Sequence, residues 1–381
     1  MNLEHLFDIK SKLPYTINNG QVTMKSCSKT TKFDHMFKGK TNITSFTGSI
    51  VPCEDADYMF AECKNLSSFP VLIMPNVEYA SGMFYGCAKI ESIFIEPTPN
   101  LIYSSSMLQD CENLKIFYAK DLSSVEHISC MFKNCHSLIL ANLGSLKSLE
   151  SSWHMFENCR SLSSLSIQDL QLVSVSTCMF CGCSSLTFAD LGPMPKVFDA
   201  IKMFYECKSL VGVNLTDLSR LEYTRKMFAK CSSLTSFDLR SASSLRSAPC
   251  MFYGCTALTE IKLGDMSRLN CTTKMFKNCS SVKSITMGSL PSLEISWSMF
   301  KNCLSLEHVV IGSMDKLERA TAMFANCVSL KNVKIGSMIN LKYADYMFFN
   351  CSSLTDIEIG PMPKLKGIMD MFTGCPNIQS I

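Results

Sequence analysis

The chain has 381 residues, of which 47% are hydrophobic and only 18% are charged, and its formal net charge is +3. This composition is too apolar for a disordered protein. Because acidic and basic residues are interspersed, we expect no basic stripe that could follow a phosphate backbone, and we do not expect nucleic acid as a partner.

The chain starts without a recognisable targeting segment. Its first residues, Met-Asn-Leu-Glu-His-Leu-Phe-Asp, lack the cationic start and apolar core of a secretory signal. No later stretch of about 18 residues is free of polar interruption, so we expect no membrane span. These observations favour a cytoplasmic or assembly-associated location over classical secretion.

Residues 1–35 precede the pattern that fills the rest of the chain and are predicted to form an N-terminal cap. Leu3, Leu6 and Phe7 are expected on a short helix. Val22 and Met24 match two apolar strand positions of the later pattern. A cap is expected here because the first coil of a stacked structure exposes its core and an unpaired sheet edge.

From residue 36 onward the sequence repeats. Met-Phe occurs at Met36 and Met59 and then every 24 residues from Met83 to Met371, with Leu108 as the one substitution for Phe. Counted from each Met as position 0, cysteine stands at +4 in fourteen units. A fixed period of this length is typical of a solenoid.

The middle of each unit predicts a short strand. Position +7 is nearly always Leu, +10 is mostly Ile, Val or Phe, and +12 is usually Leu or Ile, which gives the period-2 alternation of a half-buried strand. Glycine follows at +13 in seven units, where a positive φ is expected at a turn. These glycines are Gly144, Gly192, Gly264, Gly288, Gly312, Gly336 and Gly360.

The end of each unit predicts a short helix. A small residue at +21, then Met at 0, Phe at +1 and Cys at +4 follow the i, i+3, i+4, i+7 spacing of an amphipathic helix. The predicted fold is therefore an α/β solenoid of leucine-rich-repeat type, with one short parallel strand and one short helix per 24-residue repeat. Residues 36–381 would form about fourteen repeats and a final partial one.

The pattern Met-Phe-x-x-Cys-x-Ser-Leu-x-x-Ile-x-Ile-Gly resembles the BspA-type leucine-rich repeats over about Met36 to Ile381. The resemblance implies a surface-exposed adhesin or protein-binding module, and none of the shared motif is catalytic. The resemblance would imply an export signal in a secreted member, and because none is recognisable in this sequence we do not expect surface display by the ordinary secretory route.

The cysteines at +4 have two possible roles. Equivalent residues of adjacent coils could form disulfides or bind metal, whereas a buried thiol can also act as a small hydrophobe on the core face, which is the interpretation that the apolar neighbours favour. In the densest cluster, Cys178 and Cys181 are expected to point outward and Cys183 inward, so no shared metal site is predicted. Met at 0 and Phe at +1 are interpreted as core, with Phe in a stacked column, and no cofactor is expected.

The expected binding surface is where the repeat varies. Positions +9 and +11 should face the concave side, and most are polar. Five are large and apolar and are predicted to form a partner-binding patch, unless an N-terminal segment or the twist of the coils covers it. They are Phe94, Ile116, Tyr118, Leu140 and Phe188. Trp153, Trp297 and the tyrosines at +20 on the outer face are either further contacts or scattered surface aromatics.

Histidines and carboxylates show no arrangement typical of catalysis, so we expect no enzyme. The first functional hypothesis is a protein-binding or adhesion module presenting a concave sheet. The alternative is a structural component of a large assembly such as a virion or cytoskeletal lattice. The chain stops at Ile381 in mid-strand, and this open edge is expected to dock on another copy or on such an assembly.

Overall fold

The computed structural model describes residues 15–24, 32–48 and 50–378. They form stacked coils in two compact units, Met1–Asp169 and Leu170–Ile381. Leu3, Leu6, Phe7 and Ile381 lie outside the described residues.

The first unit opens with a hairpin. β1 (Tyr15–Asn18) and β2 (Gln21–Met24) pair antiparallel across Asn19 and Gly20, which both have positive φ. An Asn-Gly pair favours this two-residue turn. β2 then pairs in parallel with β3 (Ser45–Thr47), with Val22 opposite Phe46. Val22 is fully buried and Met24 is nearly so, as expected for strand positions that face the core.

The remaining strands follow the 24-residue period. In the first unit they are β4 (Ser92–Ile95), β5 (Ile116–Ala119), β6 (Leu140–Asn142) and β7 (Ser164–Ser166). In the second unit they are β8 (Phe188–Pro193), β9 (Gly212–Thr216), β10 (Ser236–Leu239), β11 (Glu260–Leu263), β12 (Ser284–Met287), β13 (His308–Ile311), β14 (Asn332–Ile335) and β15 (Asp356–Ile359). Neighbouring coils pair in parallel, and β12 to β15 form one continuous sheet. The predicted alternation is confirmed, since +9 and +11 are exposed while +10 and +12 are buried in most strands.

The predicted helix in each repeat is wrong: the described residues contain no helix. The segment around Met is a run of tight turns. Its N–H groups donate alternately to the next coil and to a carbonyl of their own coil. Phe180 N–H donates to Met203 O of the next coil at 2.8 Å, whereas Cys181 N–H donates to Cys178 O within its own coil at 3.1 Å. An α-helix would direct both of these groups along its own axis.

Backbone conformation also excludes the helix. The residues at +23 and +3 have positive φ in every repeat, for example Cys178 at 56° and Gly182 at 77°. Two left-handed residues four positions apart cannot occur in a right-handed helix. The i, i+3, i+4, i+7 spacing arose because successive tight turns also bring these side chains to one side.

Phenylalanines at +1 form the predicted column. In the second unit Phe180 to Phe372 stack in one nearly parallel series, with adjacent ring centroids 5.2 to 5.6 Å apart. In the first unit Leu108 takes the place of a ring, and Phe117 of β5 packs edge-on against Phe132 at 4.8 Å. Stacked aromatic rings in a close-packed interior are a large part of what holds successive coils together.

The glycines at +13 serve two purposes. Gly144 and Gly192 have the predicted positive φ, but the other five do not, so the expectation was wrong for them. At Gly312 a Cβ would lie 2.5 Å from Ser289 N, and at Gly336 it would lie 2.6 Å from Ser313 N. There glycine is required because adjacent backbones approach too closely for any side chain.

Candidate functional site

Strand register brings four of the five predicted patch residues together. In β4 to β6 Phe94 lies opposite Tyr118, and Ile116 lies opposite Leu140. Their exposed fractions are 42%, 41%, 38% and 52% respectively. Adjacent strands are about 4.8 Å apart, so the four side chains form one contiguous surface. We call it the β4–β6 patch.

The strands beneath the patch are held by a dense core. Ile93 and Phe117, which alternate with the patch residues, are no more than 1% exposed. Phe117 packs against Phe132, so β5 rests on the aromatic core of the next coil. The patch therefore stands on a rigid support. Strands that are already ordered lose little conformational entropy when a surface of this kind is bound.

Charged pairs flank the patch on both sides. Lys115 donates to Glu91 at 2.8 Å just before the strands, and Lys120 donates to Glu96 at 3.0 Å just after them. Both pairs join β4 and β5 coils across the 24-residue period. An apolar centre with a charged rim is the usual composition of a protein-binding surface.

Ile139 extends the β4–β6 patch and was missed by the sequence analysis. It is 55% exposed and directly precedes Leu140. Its position, +8, is usually polar, for instance Lys115 and Thr187. A count of apolar exceptions at +8 would have found it.

The fifth predicted residue, Phe188, lies in β8 of the second unit and is 47% exposed. Within that unit it lies opposite Gly212 and borders a hollow of about 320 Å³ whose other walls include Asn214, Asp238 and Lys262. Because Gly212 has no side chain, the Phe188 ring has room to tilt over β9. Phe188 thus has its own, mostly polar, surroundings.

Aromatic side chains also occupy a second surface of the first unit. At position +20 Tyr79 stacks on Tyr103 at 5.2 Å, and Tyr103 stacks on His127 at 4.9 Å. The same residues form single parallel bridges between coils. The Tyr79 and Tyr103 side chains therefore pack between successive coils. Trp153 of the first unit and Trp297 of the second unit are each 49% exposed.

The cysteines at +4 from Cys63 to Cys351 are buried, whereas Cys375 in the last coil is half-buried. Cys87 Sγ donates to Phe60 O of the preceding coil at 3.0 Å, and Cys207 Sγ donates to Phe180 O at the same distance. Burial raises the pKa of Cys63 to about 11 and that of Cys327 to about 12. These thiols are protonated at neutral pH, and a protonated thiol is a poor nucleophile.

The cluster around Cys181 differs in part from expectation. Cys183 is buried as predicted and Cys181 is half-buried, but Cys178 is also buried rather than outward-facing. Its positive φ does not account for this, since Cys130 and Cys250 have a similar φ at +23 and are only half-buried. Every described cysteine is a free thiol. Within residues 15–24, 32–48 and 50–378, no three His, Cys, Asp or Glu side chains are placed to share a metal ion.

The repeat matches a family model described as the BspA type leucine-rich repeat region, at residues 30–153, 104–217, 149–269, 200–322 and 317–381. The chain belongs to the BspA-type leucine-rich repeat family. The predicted membership is thereby confirmed, and so is the leucine-rich-repeat solenoid. No curated protein matches the chain.

Solved structures that are similar to this chain include bacterial leucine-rich repeat proteins. A leucine-rich repeat protein from Bacteroides ovatus has 20% identity and a TM-score of 0.50 over 90% of this chain and 98% of its own. The pneumococcal vaccine antigen PcpA has 14% identity and a TM-score of 0.48 over 96% and 97%. A leucine-rich repeat protein from Eubacterium ventriosum has 12% identity and a TM-score of 0.41 over 96% and 87%. In the described part of the BspA-type chain, no helix could cross a membrane.

Proposed function

We propose that the chain is a non-enzymatic protein-binding or adhesion module that engages its partner through the β4–β6 patch. The observation that carries this proposal is the contiguous exposure of Phe94, Ile116, Tyr118 and Leu140 on three hydrogen-bonded strands. Aromatic residues on a rigid surface are typical centres of binding energy.

The contrast with the second unit supports the proposal. At the equivalent positions of β10 to β15 the exposed residues are polar or charged, apart from Val310, which is 42% exposed. Contiguous exposed apolar side chains are unusual on a soluble protein surface, and four large ones in one region of the sheet are typical of an interaction site. The β4–β6 patch is therefore the region of the sheet best suited to exclude water under a partner.

The proposal is tested with a double substitution, Phe94→Ser and Tyr118→Ser. Proteins captured from the native source by the wild-type chain are identified by mass spectrometry, and the purified partner is titrated by calorimetry. Loss of two aromatic contacts should weaken binding by about 30-fold or more. The melting temperature should change little, because both side chains are exposed.

Val310→Ser is the matched control. Val310 occupies position +11 of its coil, as Phe94 and Tyr118 do, and is exposed to a similar extent in β13. Its replacement should leave the affinity for the partner within about twofold of the wild type. Equal affinity of the wild type and the F94S/Y118S variant would remove the β4–β6 patch from the proposed function.

A second candidate function is that of a structural component covered on more than one side. It is favoured by the aromatic residues at +20 and +22, since Tyr79, Tyr103 and Trp153 lie outside the exposed sheet and remain 36% to 49% exposed. Such a component would associate with copies of itself or with a lattice. The chain is studied by sedimentation at high concentration, alone and with the captured partner. A monomer alone, and no assembly larger than a one-to-one complex with the partner, would contradict this candidate.

A further inference from the structure

Cations that are distant in the sequence converge in the turn segments of the second unit. They occupy positions from two residues before Met to three residues after it, in the five coils from Met203 to Met299. Four coil steps span about 19 Å. We call this surface the basic turn face, and its members are Lys202, Arg225, Lys226, Lys230, Lys274, Lys277 and Lys301.

Only a small part of this charge is neutralised within the chain. At the same positions of the same coils the single carboxylate is that of Glu206, which accepts a hydrogen bond from Lys230 at 2.6 Å. Among the residues that the structure describes, the other six cations form no ion pair. The basic turn face therefore carries a large local excess of positive charge, although the whole chain is nearly neutral.

Two tyrosine rings hold several of these ammonium groups in place. Lys202, Lys226 and Lys230 lie 5.9, 5.6 and 5.4 Å from the centroid of the Tyr205 ring. Lys277 lies 6.0 Å from the Tyr253 ring. Cation–π contacts restrict the lysines without removing their charge.

Mutual repulsion is evident at the other end of the face. Burial lowers the pKa of Lys277, and the nearby charges of Lys301 and Lys274 lower it further. Half-buried like charges so close together disfavour the isolated fold, and a bound anion would relieve the repulsion. The arrangement thus resembles one side of a charge-complementary interface.

We propose that the basic turn face binds an acidic segment, rich in Asp and Glu, of a protein partner. This inference rests on the proposed function to the extent that the occupant is a protein. Six of the seven cations are lysines, which act as point charges, whereas phosphate and nucleic-acid recognition generally relies on the planar fork of arginine. Ammonium groups already lie against the Tyr205 and Tyr253 rings, which reduces the ring area on which bases could stack.

A membrane surface suits the basic turn face less well than an acidic protein. A segment that enters the membrane interface usually combines its cations with several exposed large apolar side chains. At the described positions that define the face, a single large apolar side chain is more than one-third exposed. It is Trp297, which lies at one border of the face. Charge complementarity is therefore the main physical basis for binding here.

The experiment uses the full chain and a fluorescein-labelled oligo-glutamate peptide, followed by fluorescence anisotropy at several salt concentrations. The test variant is Lys274→Gln, Lys277→Gln and Lys301→Gln. The matched control is Arg220→Gln, Arg268→Gln and Lys316→Gln, which removes three exposed, unpaired cations at position +17 of the same unit. Thermal melting checks that each variant folds.

The wild type should bind the peptide, and binding should weaken as salt rises. The test variant should lose about tenfold in affinity and the control less than about twofold. No binding by the wild type, or an equal loss in both variants, would overturn the proposal. Tighter, lysine-dependent binding of duplex DNA or of phosphatidylserine vesicles would also overturn it, in favour of that anion.

The β4–β6 patch is examined separately in the same assay. The F94S/Y118S variant should bind oligo-glutamate as the wild type does, because neither side chain belongs to the basic turn face. Its effect on the captured partner is measured in the calorimetric titration. Failure of the basic turn face and failure of the proposed function therefore give different results.

Discussion

The cysteine at +4 illustrates how a repeat selects a particular residue. A buried thiol fills about the volume of a small apolar side chain, but it also donates to a carbonyl that water cannot reach. Phe60 O accepts from Cys63 N–H within its own coil and from Cys87 Sγ of the next. Alanine would fill much of the space and leave that oxygen with a single donor, which gives cysteine an advantage that hydrophobicity alone does not explain.

Among the carboxyl groups that the structure describes, Glu157 has the most strongly lowered pKa. Burial opposes its ionisation, but hydrogen bonds from His154 and Lys133 outweigh burial and lower the pKa of Glu157 to about 2. The Lys133 ammonium lies 2.8 Å from the carboxylate and belongs to the preceding coil. This ion pair therefore links two coils as well as two side chains.

The substitution Glu157→Gln should lower the free energy of unfolding by about 1 kcal/mol at pH 7, allowing for partial solvent screening. A carboxyl whose pKa is depressed by folding stabilises the fold above its unfolded pKa of about 4.5 and loses that effect as the pH falls towards 2. The difference between variant and wild type should accordingly shrink over this range. Urea unfolding at pH 7, 4 and 2 measures it.

Glu112→Gln is the control for this prediction. Glu112 is exposed and forms no ion pair with any residue in the described part of the chain. Its replacement should leave the free energy of unfolding unchanged within about 0.5 kcal/mol at each pH. A Glu157→Gln effect that is the same at pH 7 and pH 2 would show that packing, rather than charge, causes it.

At the scale of the element, the sequence predicted the strands well and the turns poorly. Strand alternation has period 2, which few other structures share, and positions +9 to +12 became β4 to β15. The face from +21 to +4 has a spacing that helices and consecutive tight turns share. Side-chain periodicity could not separate these two structures.

A discriminating signal was present at +3. In twelve of the fifteen units this position is Gly, Asn or Asp, the residues that most readily adopt positive φ. The structure gives this position a positive φ in all of them. In the second unit the asparagines also bond to one another, as when Asn302 Nδ2 donates to Asn278 Oδ1 at 2.8 Å. Residue type at one position was more informative than the apolar pattern.

Two alanines in one turn segment test this correction. Ala322 has a φ of 53°, whereas the φ of Ala325 is not positive, and both are buried. Ala322→Gly should leave the free energy of unfolding unchanged or raise it by up to about 1 kcal/mol, because glycine relieves the left-handed strain. Ala325→Gly should lower it by about 1 kcal/mol. Chemical denaturation compares the two, and an equal loss at both sites would instead indicate a helix.

At the scale of the whole molecule, the repeat explains why one surface was predicted and the other was not. The β4–β6 patch was visible because large apolar residues at +9 and +11 stand out against the polar residues usual there. The cations of the basic turn face were judged evenly spread because they alternate with acids along the chain. Stacking places residues 24 apart next to each other, so charge has to be compared by repeat position, as it is in the coils from Met203 to Met299.

The two surfaces should contribute to partner binding in different ways. Apolar contacts at the β4–β6 patch depend weakly on salt, whereas a lysine cluster loses its attraction as counterions screen it. The F94S/Y118S variant should therefore weaken binding of the captured partner at every salt concentration and keep the wild-type salt dependence. The K274Q/K277Q/K301Q variant should weaken binding mainly at low salt and flatten that dependence. Calorimetric titrations over a salt series measure both effects, and identical salt dependence in all three proteins would show that the basic turn face takes no part in binding this partner.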